Sequence, residues 1–211
     1  MPSTSAHLGR PVGARSDETR RRILAATMRC VAEVGYSGAT IREIARTADI
    51  TSGTLYHYFP NKGELVRAAF AEIADVALPR LAAAADGVDG VLDKLMAVLD
   101  EGAALVQENP YAVAFDRALR SEGAASLRLD EDSDMIFVSL RQVVAGIVEQ
   151  ARSEGMLHTD ADPSGTTDAI FAMLRGLYDH AATATPDQYV ATHHAIGLLI
   201  RGSLFGGARR A

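Results

Sequence analysis

Apolar residues recur at helical spacing through most of the chain, and the alternation typical of strands occurs nowhere. From Ile41 to Ala48 they fall at positions i, i+3, i+4 and i+7, which places them on one buried stripe of a helix. Thr40 precedes this stripe and Glu43 lies three residues later, a capping box that predicts where the helix begins. Continued along the chain, the pattern predicts an all-α protein of about nine helices.

A second short helix is predicted after a turn at Asp49, because aspartate tolerates the left-handed backbone that a sharp turn requires. Thr51 or Ser52 can cap this helix at its N-terminus. Leu55 and Phe59 are four residues apart and can anchor it to the core. The two short helices and the turn between them have the layout of a helix-turn-helix unit.

The outer side of the second helix carries hydroxyl, phenol and imidazole groups and almost no formal charge. Such a surface suits a helix that docks in the major groove of DNA, with small residues at its N-terminus and donors for phosphates and base edges. The alternative is an ordinary helical hairpin whose polar face meets water. The candidate DNA contacts on this helix are Thr51, Ser52, Gly53, Thr54, Tyr56, His57 and Tyr58.

These residues resemble the signature of the TetR family of bacterial transcriptional repressors. The signature is a threonine-capped helix, an Ile-Ala pair, a turn, then Ser/Thr-x-Gly-x-Leu-Tyr-x-Tyr-Phe and a lysine three residues later. Within a match from Ile23 to Leu65, those places hold Thr40, Ile44, Ala45, Thr51, Gly53, Leu55, Tyr56, Tyr58, Phe59 and Lys62. The resemblance implies that Lys62 meets a DNA phosphate, and it adds Thr40 to the candidate DNA contacts. Asp49 departs from the family, which usually has glycine in the turn.

Residues 16–62 are expected to form the three-helix DNA-binding domain, after a flexible arm over residues 1–15. Ser16 is a good N-cap and Gly35 a typical C-terminal stop, so the first helix is predicted over residues 16–34. Its buried face should comprise Ile23, Leu24, Val31 and Val34. Three basic residues on its polar side contact either the DNA backbone or solvent: Arg20, Arg21 and Arg22.

Residues 63–211 are expected to form a helical domain for ligand binding and dimerisation. A fourth helix should run from Asn61 toward Ala85, with a kink or break at Pro79. A capping residue followed by proline predicts that further helices start at residues 110, 163 and 186, the last two running to about 184 and 204. Another helix is predicted over residues 135–153, whereas residues 121–134 are expected to form a loop or a frayed helix.

Apolar and aromatic residues in this second domain are candidates for a ligand cavity. Residues of this kind at helical spacing more often form plain core, but as a group they indicate a pocket for an apolar or amphipathic effector. The candidate lining residues are Met96, Leu99, Tyr111, Phe115, Phe137, Leu140, Phe171, Leu174, Arg175 and Tyr178. Arg175 can pair with a carboxylate or phosphate of the effector, or it can lie at a dimer interface or in solvent.

The last two helices carry small residues on wide apolar faces, among them Gly176 and Gly197. The family resemblance implies that these helices pair with their copies in a four-helix dimer interface. Two-fold symmetry would then set two recognition helices about one DNA turn apart, as a palindromic operator requires. The alternative is that they complete the core of a monomer.

Composition supports a globular DNA-binding protein. The 211 residues are 48% hydrophobic and 23% charged, with a net charge of −6. Residues 1–62 hold nine basic and five acidic residues, so this part carries +4 and the remainder −10. A basic module on an acidic body indicates nucleic-acid binding. No apolar run approaches the roughly 18 residues that span a bilayer, and no secretory signal is evident, so a cytoplasmic location without a membrane partner is expected.

The sequence gives no indication of catalysis. It lacks a serine nucleophile elbow and a glycine-rich phosphate loop. His193 and His194 are neighbours on a helix and point about 100° apart, which does not suit a shared metal. Cys30, the single cysteine, lies on the buried stripe of the first helix and is expected to be a small core residue rather than a redox sensor. We therefore expect no enzymatic activity, no cofactor and no metal.

Together these features predict a TetR-like transcriptional regulator, most simply a repressor that a small effector releases from a palindromic operator. Two other interpretations remain open at this point. The chain can be a helical ligand-binding protein that no longer binds DNA, or an activator or corepressor-dependent member of the same family. An α-helical enzyme on the same scaffold is a further rival, but no set of convergent catalytic residues supports it.

Overall fold

A computed structural model describes the backbone of residues 12–121 and 130–204, and the side chains of residues 16–121 and 137–204. Within these residues all regular structure is helical, which confirms the predicted all-α fold. The helices are α1 (Val12–Gly38), α2 (Ile41–Thr47), α3 (Ser52–Tyr58), α4 (Lys62–Asp86), α5 (Val91–Glu108), α6 (Pro110–Ser121), α7 (Asp130–Ser153), α8 (Pro163–Ala181) and α9 (Pro186–Ile200). The predictions for residues 1–11 and for the loop over residues 122–129 lie outside the described residues.

The first three helices close around one apolar cluster. Ile23 of α1, Ile44 of α2 and Leu55 of α3 are each fully buried in it. Leu65 at the start of α4 and Phe115 of α6 join the same cluster. Burying a side chain of this size contributes about 1.5–3 kcal/mol. The helix-turn-helix unit is therefore packed onto the rest of the chain through α4 and α6.

Side-chain caps set the helix ends of this unit where the sequence predicted them. The side chains of Thr40, Thr51 and Asn61 accept hydrogen bonds from the backbone N–H groups three residues later, at the starts of α2, α3 and α4. Such a cap is worth about 1 kcal/mol. The positions of the two short helices are thus fixed by local chemistry.

The turn between α2 and α3 has the strained backbone that was predicted for it. Asp49 has φ +54°, and within residues 12–121 and 130–204 it is the one non-glycine residue with a positive φ. Arg22 of α1 supports this turn, because its Nη2 donates to the Ala48 carbonyl at 2.9 Å and to the Asp49 carbonyl at 3.3 Å. Arg22 thus has a structural role that the sequence did not indicate.

Several boundary predictions need correction. Helix α1 already begins at Val12, so the expected flexible arm does not extend to residue 15. Helix α7 begins at Asp130 rather than at residue 135, and α8 and α9 end a few residues earlier than predicted, at Ala181 and Ile200. Helix termini are the least certain feature of a sequence pattern, because the last turn makes few tertiary contacts.

Val34 was predicted to be buried, but 55% of its surface is exposed. The chain turns away directly after it, because Gly35 adopts φ +77°. The side chain of Val34 instead covers Gly38, where an added Cβ would lie 3.3 Å from it. The prediction of Gly35 as the stop of the long first helix is confirmed by this break.

Helix α4 continues through Pro79, so of the two predicted alternatives, a kink or a break, the break does not occur. Proline removes the hydrogen bond to the carbonyl of Asp75. Both Pro79 and Asp75 lie on the exposed side of the helix, where solvent can satisfy that carbonyl. The cost of the proline is therefore small at this position.

The remaining helices pack around a second apolar cluster. Leu95 and Leu99 of α5, Ile147 of α7 and Leu174 of α8 belong to it. Helix α4 contributes to both clusters, with residues 65–70 in the first and residues 77–85 in the second. A shift of α4 against the body therefore necessarily involves the helix-turn-helix unit.

Candidate DNA-binding surface and ligand cavity

The outer side of α3 is exposed, and one fully buried residue holds the helix to the core. Leu55 is inaccessible to solvent, whereas Tyr56 is 53% exposed. The candidate DNA contacts Thr51, Gly53, Thr54 and His57 are also exposed, and Ser52 and Tyr58 are half-buried. The polar groups that the sequence singled out thus lie together on one surface.

Gly53 is not required by the fold itself. A Cβ added there would approach no atom of the described chain more closely than Thr51 Oγ1, at 3.8 Å. Its backbone conformation is also not the left-handed one that favours glycine. A glycine that the chain does not need, exposed at the N-terminus of α3, leaves room for another molecule to approach the backbone.

The hydroxyl groups at the helix starts serve as caps and are exposed at the same time. Thr51 Oγ1 accepts a hydrogen bond from Thr54 N at 3.1 Å and lies 2.9 Å from Thr54 Oγ1. Thr40 Oγ1 accepts from Glu43 N at 3.2 Å and donates to Glu43 Oε2 at 3.1 Å. These two threonines position the helix ends, and any DNA contact would be additional to that role.

Two further candidates are oriented by neighbours from other parts of the fold. The Tyr58 hydroxyl accepts a hydrogen bond from Ser16 Oγ at 3.4 Å, and its ring meets the edge of His57. The ammonium group of Lys62 donates to the carbonyl of Tyr36 and lies 4.2 Å from the centre of the Tyr36 ring. Lys62 therefore ties the start of α4 to the end of α1, and its contact with a phosphate stays a prediction.

The candidate ligand site is a cavity of about 300 Å³ between α1 and the helices of the body. Its wall is mainly apolar, and five of the ten predicted residues line it: Leu99, Phe137, Leu140, Leu174 and Tyr178. Pockets of roughly this size and polarity accommodate small ligands. Their assignment as ligand contacts stays a prediction.

The other five predicted residues do not line this cavity. Phe115 is fully buried in the first cluster, because α6 packs on α1. Tyr111 is 40% exposed, with the Arg29 guanidinium over its ring. Met96 packs toward α9, where a Cβ added at Gly197 would lie 3.1 Å from its terminal methyl. Phe171 is half-buried on α8.

Arg175, the fifth of these residues, is occupied within the body. Its guanidinium carbon lies 3.4 Å from the centre of the Phe137 ring, and its Nε donates to Asp179 Oδ2 at 3.3 Å. The cation therefore covers the outer side of a residue that lines the cavity. This arrangement supports Phe137 and leaves Arg175 outside the cavity wall.

A buried carboxyl group lies next to the cavity on α6. Asp116 is 2% exposed, and burial raises its pKa to about 6. Arg120 Nη2 lies 2.8 Å from Asp116 Oδ2 but donates its hydrogen bond to Asp179 Oδ1, which leaves both oxygens of Asp116 without a hydrogen bond. Burial and the charge of Asp116 also raise the pKa of the neighbouring Tyr178. Periodicity could not reveal this cluster, because its members come from two helices that are distant in the sequence.

Across residues 16–121 and 137–204, no group of three or more His, Cys, Asp or Glu side chains is placed to hold a metal ion. No helix in those two ranges combines the length and the apolar character that crossing a membrane requires.

Comparison with known proteins identifies the helix-turn-helix unit. The sequence profile of the family described as bacterial regulatory proteins, tetR family, matches residues 23–69. The transcriptional regulator BetI of Klebsiella pneumoniae (strain 342) is 29% identical over 167 residues, 77% of this chain and 82% of that protein. PksA of Bacillus subtilis (strain 168) is 27% identical over 169 residues, 78% of this chain and 79% of that protein. Residues 23–69 therefore form a DNA-binding domain of the TetR family, and the chain is a DNA-binding transcriptional regulator.

Solved structures of regulators have the same fold as this chain. FadR from Bacillus subtilis, in complex with stearoyl-CoA, has a TM-score of 0.74 at 20% identity and covers 88% of this chain and 99% of its own. AibR, in complex with isovaleryl coenzyme A and operator DNA, has a TM-score of 0.68 at 19% identity, covering 86% and 97%. At these identities the similarity concerns the fold.

The DNA-binding surface and the cavity each have features that sequence reasoning missed. On α2, Arg42 and Arg46 are exposed and four residues apart, a spacing that puts two cations on one face beside the recognition helix. Helix α1 contributes four residues to the cavity wall: Arg21, Leu24, Ala25 and Met28. These four positions have the spacing i, i+3, i+4 and i+7, so periodicity places them on one face of α1 but cannot show that this face meets the body.

Proposed function

We propose that this TetR-family regulator is a homodimeric repressor that a small apolar or amphipathic effector releases from a palindromic operator. The observation that carries the proposal is the composition of the cavity wall. Leu24, Ala25 and Met28 come from the first helix of the DNA-binding unit, and Leu99, Leu174 and Leu177 come from the body. A molecule in the cavity would contact both parts of the protein at once.

The outer side of α3 supports DNA binding at the level of individual residues. Tyr56 and Thr54 present donors to the outside, and Gly53 leaves its backbone accessible. Arg42 and Arg46 supply positive charge nearby for the phosphate backbone. We assign base and phosphate contacts to this surface, with Lys62 acting near the start of α4. An operator-binding protein acts where the DNA is, so we place the regulator in the cytoplasm.

The apolar wall of the cavity supports an effector with a substantial hydrocarbon part. Polar side chains are few among its lining residues: Arg21, Glu72, Asn109, Tyr178 and Tyr189. FadR and AibR have the same fold, and their structures contain stearoyl-CoA and isovaleryl coenzyme A. An acyl-bearing molecule is therefore a reasonable first class of effector to test.

Release from DNA would follow from a shift between two positions of α4. This helix packs in both apolar clusters and also lines the cavity, through Ile73, Val76 and Ala77. An effector that binds the protein more tightly in one position of α4 than in the other increases the population of the first position. The size of the increase is set by the difference between the two affinities. If the favoured position sets the recognition helices at an unsuitable separation, the operator is released.

The outer faces of α8 and α9 support dimerisation through the last two helices. Val190 and Leu199 of α9 are 57% and 45% exposed. Ala172 and Gly176 of α8 are also exposed, and no described atom lies within 4 Å of a Cβ added at Gly176. Exposed apolar and small residues on adjacent helices are typical of a helix-helix interface.

Titration of the purified protein with DNA from upstream of its own gene tests the DNA-binding part. In the presence of random competitor DNA, we expect tight binding that weakens between two salt concentrations, because phosphate contacts release counterions. A corepressor-dependent regulator would bind only after a ligand is added, and an activator would bind but raise transcription in a reporter assay. Failure to select any DNA fragment from the whole genome would favour a ligand-binding protein that has lost DNA binding.

A further inference from the structure

The three consecutive arginines of α1 have different surroundings. Arg20 Nη1 lies 3.3 Å from Glu72 Oε2, and its guanidinium also covers the Phe59 ring. Arg22 donates to two backbone carbonyls of the turn between α2 and α3. Arg21 makes no hydrogen bond or ion pair with any residue that the structure describes. Two of the three cations thus have an intramolecular role, and the third has none among residues 16–121 and 137–204.

Arg21 lies at the opening of the ligand cavity. The lining residues that are exposed to solvent are Arg21, Ala25, Val76 and Asn109, from α1, α4 and the junction of α5 and α6. Residues deeper in the wall are almost fully buried, such as Leu24 at 1% and Leu99 at 2% exposure. The cavity therefore opens at the seam between the DNA-binding unit and the body.

The charge at this opening is not balanced. Glu72 is the acidic residue among the lining residues, and Arg20 is paired with it. Arg21 then adds one positive charge beside an apolar space. A guanidinium in this position presents a planar set of donors that matches a carboxylate or a phosphate.

We propose that Arg21 binds the anionic head group of an amphiphile whose hydrocarbon chain occupies the cavity. This inference rests on the proposed function of the cavity as the effector site. The chain of the amphiphile contacts the apolar wall, and its carboxylate or phosphate stays at the solvent-exposed seam. The charge of the head group, rather than its size, then distinguishes the effector from neutral molecules with the same chain.

The position of Arg21 gives this contact a regulatory consequence. Arg21 lies on α1, one residue from Arg22, which supports the turn of the helix-turn-helix unit. The apolar chain lies against the body through residues such as Leu99 and Leu174. The effector therefore links α1 directly to the body, in addition to its contacts with α4.

Binding of matched amphiphiles to the full-length protein, in the absence of DNA, tests the inference. The probes are dodecanoate, dodecyl phosphate, dodecanol and dodecyltrimethylammonium, measured by calorimetry. The ionic probes are kept below their critical micelle concentrations and dodecanol below its solubility limit. Wild type should bind the two anions at least tenfold more tightly than the alcohol, the factor expected for a charge-assisted hydrogen bond. Arg21→Gln should lose that preference and bind the alcohol as wild type does.

Two further variants complete the experiment. Arg21→Lys keeps the charge without the planar donor set and should retain part of the preference for anions. Arg152→Gln removes an exposed arginine of α7 that pairs with Glu149 and does not line the cavity, so its affinities should equal those of wild type. The melting temperature of each variant checks that it is folded.

Several results would overturn the inference. Equal affinity for anions and the alcohol, or a preference for the cation, would show that Arg21 does not select the head group. A Gln variant with unchanged ligand binding and weaker operator binding would assign Arg21 to a DNA phosphate instead. If no amphiphile binds wild type at all, both the proposed effector site in the cavity and the proposed head-group contact are wrong. If all the probes bind with equal affinity, only the head-group contact is wrong.

Discussion

The recognition helix and the ligand cavity are built in contrasting ways. Helix α3 presents exposed polar groups from a seven-residue segment, held by the cap at Thr51 and by one buried side chain, Leu55. The cavity is an apolar space whose lining residues extend from position 21 to position 189. A surface assembled from one short segment tolerates changes on its outer side, whereas a cavity depends on the packing of every helix around it. Mutations should therefore affect DNA binding and stability separately.

The largest effect is expected where the core meets the helix-turn-helix unit. Phe115→Ala should lower the free energy of unfolding by about 3–5 kcal/mol, because the fully buried ring leaves a void between α6 and α1. Leu140→Ala is the matched control, since Leu140 is half-buried and borders a space that already exists. Chemical denaturation measures both. Equal losses for the two variants would mean that Phe115 also lines accessible space, as the sequence predicted.

The next effect concerns the buried carboxyl group of α6. The pKa of Asp116 is about 6 in the folded protein against an ordinary 3.8, so the ionised form is disfavoured by roughly 2–3 kcal/mol. This penalty is fully present above pH about 6 and vanishes as the pH falls toward the unfolded value. Asp116→Asn should therefore stabilise the protein by about 2 kcal/mol at pH 8 and by little at pH 4.

Unfolding of this variant at the two pH values supplies the measurement. Asp75→Asn is the control, because Asp75 is exposed on α4 and its replacement should leave stability nearly unchanged at both pH values. If Asp116→Asn instead destabilises the protein most strongly at pH 8, the pairing of Asp116 with Arg120 outweighs its burial.

Tyr56→Ala should separate DNA binding from stability. Tyr56 is half exposed on α3, so its loss should weaken operator binding by about 1–3 kcal/mol and leave the unfolding midpoint in place. Fluorescence anisotropy with labelled operator and a denaturation curve give the two readings. Loss of helicity or aggregation would indicate that Tyr56 belongs to the core.

Gly53→Ala should have the smallest effect. It should slightly stabilise the free protein and weaken its binding to DNA. The added methyl group has 3.8 Å to its nearest neighbour, and alanine favours a helix over glycine by up to about 1 kcal/mol, so the unfolding temperature should rise slightly. If the protein backbone at Gly53 approaches a DNA phosphate, the same methyl group should weaken operator binding by about 1 kcal/mol. Unchanged affinity would place the DNA farther from Gly53.

The sequence predicted best those features of the fold that depend on residues close together in the chain. The starts of α2, α3 and α4 follow from the caps Thr40, Thr51 and Asn61, and the turn follows from Asp49. Each depends on residues within one helical turn. The outer surface of α3 follows in the same way, since a helix with one buried side exposes the other.

The cavity was only half predictable because its wall depends on the crossing of distant helices. Periodicity identified apolar faces but could not tell that Phe115 packs toward α1 while Phe137 lines the cavity. Nor could it tell that Arg175 covers the Phe137 ring from outside, or that α1 completes the wall through Met28. These outcomes follow from tertiary packing, for which a single sequence gives no distances.

The central claim is that a molecule in this cavity controls the DNA-binding unit. The most direct measurement is operator affinity with and without a saturating cavity ligand, set against ligand affinity with and without operator. We expect the ligand to weaken operator binding and the operator to weaken ligand binding by the same factor, because the coupling between two binding sites is reciprocal. A ligand that binds in the cavity and leaves operator affinity unchanged would contradict it.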